Sequence, residues 1–133
     1  MTGSNFTDLA MALWKEVEGI EDFEVRRTVL RRVLRTLVQQ YAGQVQGGTL
    51  LERMRCLAGL FSQRRVPFSV DRPDQPGQLP TLTAHACPYP ELAEQDRTVC
   101  ALERVMFSEL LGENVKLTGC RLDGASTCQF QPS

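Results

Sequence analysis

Apolar residues recur at helical spacing through the first half of the chain. Phe6, Leu9, Ala10, Leu13, Val17 and Ile20 fall on one face of a helix over residues 6–20. Asn5 or Thr7 can cap it, and Gly19 lies near its end. A second helix is predicted from about Asp22 to Tyr41, with Val25, Val29, Val33, Leu34, Leu37, Val38 and Tyr41 as its apolar face. Glu21, Asp22 and Glu24 crowd its first turn, where negative charge meets the positive end of the helix dipole. GQVQGG at 43–48 breaks the pattern. A third helix over 49–64 turns Leu50, Met54, Leu57, Leu60 and Phe61 inward. The period then changes: VPFSV (66–70) alternates as a strand, DRPDQPGQLP (71–80) reads as a turn or exposed loop, and TLTAHA (81–86) returns as the paired strand. A helix carrying Val99, Leu102, Val105, Met106, Leu110 and Leu111 ends at Gly112. VKLTGCRL and STCQF then flank Asp123-Gly124, a hairpin turn signal.

These elements define an α+β domain: three N-terminal helices, then an antiparallel sheet of about four strands in two hairpins, with a further helix between the hairpins. The 133 residues fit a single domain over 1–133, with a helical part at about 6–64 and a cysteine-bearing α/β part at about 66–131. With 42% hydrophobic and 23% charged residues, the composition is that of an ordinary globular chain. A net charge of −1 argues against a wholly basic nucleic-acid binder. Residues 25–65 nevertheless hold nine arginines against one glutamate. The simple reading of that excess is a solvated helix face. No run approaches the roughly 18 apolar residues of a membrane span, and MTGSNFTDLA lacks the segments of a signal peptide. A cytoplasmic location is expected, where thiols stay reduced.

That compartment gives the five cysteines their interest, because clustered thiols there point to metal or redox chemistry before structural disulfides. Four lie towards the end of the chain: Cys87, Cys100, Cys120 and Cys128, separated by twelve, nineteen and seven residues. Zinc ribbons and fingers use closer knuckles. In one continuous helix over 88–111, Cys87 and Cys100 would stand roughly 15–20 Å apart, too far for one centre. Pro90 suits the first turn of a short helix, and Asp96 can cap a new one beginning at Arg97. A break at 94–96 would let the chain fold back and bring the two together. Cys100 would then lie near a helix N-terminus, whose dipole favours thiolate. In the last hairpin, a two-residue turn sets Cys120 against Thr127, and a three-residue loop sets it against Cys128. Only the second puts both thiols on one face. A metal site, inert buried thiols and a disulfide all remain open on the residues alone. Cys56, in RMRCLAGL, reads as a packing residue. His85, the single histidine, is a secondary candidate ligand. Trp14 reads as core or interface.

CPYPELAEQDRTVCALERVMFSELLG followed by VKLTGCRLDGASTCQF resembles the C-terminal sensor domain of SufR-type transcriptional regulators. The likeness rests on the Cys-Pro-Tyr opening, on Cys100 with Glu103, and on Gly124, Cys128 and Phe130. It extends in general character back to about Thr7. It implies a dimeric regulator whose cysteines hold an iron–sulfur cluster, usually 4Fe–4S, and whose DNA contacts come from a separate winged helix-turn-helix domain. Cys87, Cys100 and Cys128 match the cluster cysteines, and Cys120, or else His85, would be the fourth ligand. This chain has no winged helix. Whether fragment or stand-alone sensor, it should not bind operator DNA alone, and Arg26, Arg27, Arg31, Arg32 and Arg35 offer no recognition element in its place.

The resulting expectation is a non-enzymatic, iron–sulfur-binding regulatory sensor. The alternative is a small-molecule-binding regulatory domain with structural or zinc-binding cysteines, marked by a closed cavity around Phe68, Met106 and Phe107 and by thiols far apart. With one histidine and no nucleophile, phosphate-loop or paired-carboxylate motif, an enzyme is the least supported class.

Overall fold

The computed structural model describes residues 5–72 and 77–133. Three helices come first: α1 (Phe6–Glu18), α2 (Phe23–Tyr41) and α3 (Leu50–Gln63). Strands β1 (Phe68–Asp71) and β2 (Thr81–Ala84) follow, then helices α4 (Pro90–Gln95) and α5 (Thr98–Leu111), then β3 (Val115–Gly119) and β4 (Cys128–Pro132). The loop expected over 71–80 lies partly outside the described residues. The four strands form one antiparallel sheet in the order β1-β2-β4-β3, so the α+β architecture is as expected.

Local chemistry explains the boundaries. The Asp22 carboxylate accepts from the Glu24 and Val25 N–H groups at 2.9 and 3.2 Å and starts α2. Thr49 does the same for α3 through the Glu52 N–H. Pro90 opens α4, and Gly112 (φ 70°) closes α5 in the left-handed conformation that glycine adopts without strain.

The core lies between the sheet and the helices α3 and α5. Met54, Leu57, Leu82, Phe107, Leu111 and Val115 are fully buried there. Phe107 packs edge-on to Phe61, Phe68 and Phe130 at 5.9, 5.9 and 5.0 Å, a favoured aromatic geometry. β2 is central and buried along its length. Its threonines are satisfied: Thr81 Oγ1 accepts from Gln131 Nε2, and Thr83 Oγ1 donates to Asp71.

The first two helices depart from expectation. α1 buries no residue, and α2 buries only Tyr41. Phe6, Leu9 and Leu13, read as inward, are mostly exposed, and so is Val25. The 3.6-residue period is real, but on α1 the half-buried apolar side chains that share a face are Ala10, Trp14 and Val17. They face a groove rather than a closed core. Among the described residues no helix is long and apolar enough to cross a membrane.

Candidate functional site

The predicted break exists. α4 ends at Gln95 and α5 begins at Thr98, with Asp96 extended between them (φ −150°, ψ 113°). Asp96 Oδ1 accepts from the Thr98 N–H at 2.9 Å and caps the new helix. Its other oxygen accepts from the Trp14 indole at 2.9 Å. Partial burial works to raise the Asp96 pKa. The Thr98 and Trp14 hydrogen bonds and nearby Arg26 outweigh it and hold the carboxyl below its ordinary range. Arg97 turns the other way, to Asp123 at 2.8 Å and to the Leu122 carbonyl at 3.1 Å. The break is thus tied to α1 on one side and to the β3–β4 connection on the other.

The hairpin register is decided by a bulge. Leu117 pairs with Phe130, but Gly119 pairs with Gln129, a shift of one residue across Thr118. Without that shift Cys120 would oppose Thr127. With it, the register continued one step sets Cys120 against Cys128, whose side chains share a hydrogen bond. The two-residue Asp123-Gly124 turn does not form. A short 3-10 turn (Arg121–Asp123) closes on Gly124 in the left-handed region at φ 95°, and the connection runs longer.

Break and bulge together gather the thiols. Cys87, Cys100 and Cys128 line one cavity of about 20 Å³ with Ala84, Glu103, Leu117 and Phe130, and buried Cys120 adjoins Cys128. All five cysteines are free thiols, so the disulfide reading has no bond behind it. Two sulfurs accept backbone N–H groups: Cys87 from Tyr89 and Cys128 from Arg121, both at 3.4 Å. Such bonds favour the thiolate form. Against them, burial pushes Cys87 and Cys128 up, and Glu103 and the neighbouring thiols add to it. Cys100 is pushed up to about 11, by burial first and then by Cys120, Glu103, Cys87 and Cys128. The thiolate expected from the α5 dipole is therefore not favoured. Desolvation and crowding of like charges exceed a helix-end effect of about 1 kcal/mol.

Among the described residues no three His, Cys, Asp or Glu side chains stand, as placed, in position to hold a metal ion. His85 does not join the group. It is exposed, and its Nε2 lies 2.7 Å from Ser69 Oγ. Cys56 sits apart on α3, packed at the edge of the core, with its thiol donating to the Gln46 carbonyl. Phe68 and Phe107 are packed against other rings rather than around a cavity. The closed pocket that would have marked the small-molecule alternative is not formed by them.

The member that reading by residue type missed as a site residue is Glu103. It is nine-tenths buried, and burial alone raises its pKa to about 7. No hydrogen bond or ion pair is found for its carboxylate among the described residues. A signal was present: Glu103 falls four residues after Val99 and three before Met106, on the stripe that α5 buries.

Comparison with protein-family models, with curated proteins and with solved structures finds no match for this chain.

Proposed function

We propose that the chain is a cytoplasmic, non-enzymatic sensor domain of a transcriptional regulator, binding an iron–sulfur cluster through Cys87, Cys100 and Cys128 with Cys120 as the fourth ligand. The observation that carries this reading is the convergence of Cys87, Cys100 and Cys128, from three separate segments, on one partly buried cavity, with Cys120 of a fourth segment beside Cys128. An all-thiolate donor set selects zinc or an iron–sulfur cluster. Zn–S bonds of ≈ 2.3 Å would need sulfurs roughly 3.8 Å apart around a single ion, a grouping absent as the side chains are placed. A cluster sets several atoms between its thiolates and asks for wider spacing. The N–H groups of Tyr89 and Arg121 are donors of the kind that tune cluster potential. A bound cluster supplies positive charge that relieves thiolate repulsion, together with a redox change that can be sensed.

A 20 Å³ cavity holds about one water, so loading must move at least one cysteine-bearing segment outward. Among the described residues, the hydrogen-bond and ion-pair ties of the 120–128 connection to the break are those of exposed Arg97. Loading there would shift the start of α5 and, through Asp96 and Trp14, the position of α1. This is the local event biasing a two-state element on which sensors depend. The expected assembly is a homodimer, with exposed Leu9, Phe23 and Val25 as available apolar surface. DNA would be bound only through a separate winged-helix domain.

The test is anaerobic reconstitution with iron and sulfide, read by visible absorption and iron content. Wild type should gain a broad visible band. Cys87→Ser, Cys100→Ser and Cys128→Ser should lose it, and Cys120→Ser should show whether that thiol is the fourth ligand. No iron retained by any form, or equal spectra in all, would make the thiols structural.

A further inference from the structure

A groove of about 700 Å³ runs between α2 and α5. Its floor is apolar: Leu30, Leu34, Leu102 and Val105 line it and are half-buried. Arg27, Arg31 and Arg35 line its α2 edge. They fall four residues apart, so they share one face of the helix about 6 Å from one to the next. All three are exposed, and among the described residues none of their side chains makes a hydrogen bond or an ion pair. α2 holds five arginines and a single acid, Glu24, so it cannot neutralise the row itself. Like charges four residues apart oppose helix stability. The α5 edge offers little compensation: Thr98 and Ala101 are uncharged, and Glu109 stands at the far end.

A row of unpaired arginines beside an apolar floor asks for two things at once. The floor calls for apolar side chains, and the edge calls for anions repeated about every 6 Å. A single-headed amphiphile such as a fatty acid supplies one anion. An acidic amphipathic helix supplies both parts, with an apolar stripe to lay in the groove and carboxylates four residues apart that match the arginine repeat. The α2 edge from Arg27 to Gln39 is about 18 Å long at 1.5 Å per residue, room for about three turns of such a helix.

We propose that the α2–α5 groove docks an acidic amphipathic helix of a partner protein, its apolar stripe on Leu34 and Leu102 and its carboxylates along Arg27, Arg31 and Arg35. The inference stands whether or not the thiols hold a metal. α5 borders both sites, with Leu102 in the groove and Cys100 at the thiols.

The full chain with reduced thiols would be titrated into a fluorescein-labelled peptide of about 20 residues, long enough to form a helix. The peptide carries a leucine stripe flanked by glutamates four apart, and two analogues replace the glutamates by glutamines or by lysines. Fluorescence anisotropy reads the binding. The acidic peptide should bind about tenfold or more tightly than the glutamine analogue. Arg31→Glu should remove most of that preference, and the lysine analogue should bind Arg31→Glu more tightly than it binds wild type. Arg55→Glu, an equal change of charge at an exposed position of α3, should leave the preference intact. Ala101→Trp, at an exposed position in the groove, keeps every arginine and should block the acidic peptide. Equal binding of the acidic and glutamine peptides, a preference unmoved by Arg31→Glu or lost equally in Arg55→Glu, or acidic binding that survives Ala101→Trp would overturn the proposal. So would binding to phosphatidylserine vesicles without binding to the peptide, which would give the arginines to a membrane surface. A wild-type dimer in sedimentation that Arg31→Glu dissociates would also overturn it, by giving the groove to a second copy of the chain.

Discussion

The layer formed by α1 and α2 and the body formed by α3, α5 and the sheet are built on different principles. The body is closed by apolar packing, with Met54, Leu57, Leu82, Met106, Phe107, Leu111 and Val115 fully buried and four phenylalanines in contact. Within the layer, α2 buries Tyr41 and packs Leu34, Leu37 and Val38 on the core, whereas α1 buries no residue and is tied by Trp14 to Asp96 and Gln95 to Glu18 at 2.9 and 2.7 Å. Packing energy grows with buried area and is hard to switch. A few directional bonds around a groove are easy to make and break. The thiols sit in the body near its junction with the layer, so the difference suits a part that detects and a part that moves.

The comparison breaks most sharply at Phe107. Phe107→Ala removes the ring shared by three others and should destabilise by about 3–5 kcal/mol in urea unfolding. Leu9→Ala, on the outer face of α1, should change stability by no more than about 0.5 kcal/mol. Similar losses for the two would mean that α1 is as firmly packed as the core. Amide exchange sharpens the same contrast without mutation. The α3 and β2 amides should exchange only by global unfolding, and those of α1 by local opening at lower free energy. Uniform protection across both would remove the mobile layer from the sensing argument.

The thiol site gives the next effect. Deleting Thr118 removes the bulge's extra residue but leaves Gly119 opposite Gln129, and so Cys120 opposite Cys128. Iron retention after reconstitution should then resemble that of wild type rather than that of Cys120→Ser. Retention as low as that of Cys120→Ser would show that the shared register of Cys120 and Cys128 is not enough to place the ligand.

Much of this was legible in the chain. α3, both hairpins and the break at Asp96 follow from local signals: the spacing of Leu50, Met54, Leu57, Leu60 and Phe61, the strand-like segments either side of turn residues, and Pro90 and Asp96 set where two helices start. What was not legible depends on non-local facts. A helical period says that α1 has an apolar face, but not that its partner is an open groove. The Asp123-Gly124 pair marks a turn, but the register belongs to a bulge five residues earlier that no residue type announces. Glu103 enters the sequence reading only through its likeness to the family pattern, and its burial shows once α5 is seen to bury that stripe. The depressed thiol pKa expected at Cys100 took the helix dipole without the desolvation that outweighs it.

The smallest expected effect tests the tie between layer and body. Asp96 accepts from Thr98 and Trp14, and its pKa is held below the ordinary 3.8. A group depressed in the folded state contributes stability that is complete above its unfolded pKa and is lost as pH falls through the folded value. Asp96→Ala should therefore cost about 1 kcal/mol at pH 7, as lost N-caps do. The gap to wild type should narrow as pH falls below about 4. Asp96→Asn keeps an acceptor oxygen for the cap but not the charge. It should lose less at pH 7, and its stability should show none of wild type's extra acid sensitivity below pH 4. Trp14 emission should shift in both variants, because the indole loses its carboxylate partner. A full stability loss in Asp96→Ala with unchanged emission would place the whole contribution in the α5 cap. The layer would then be uncoupled from the break, and α1 could not report on what happens at the thiols.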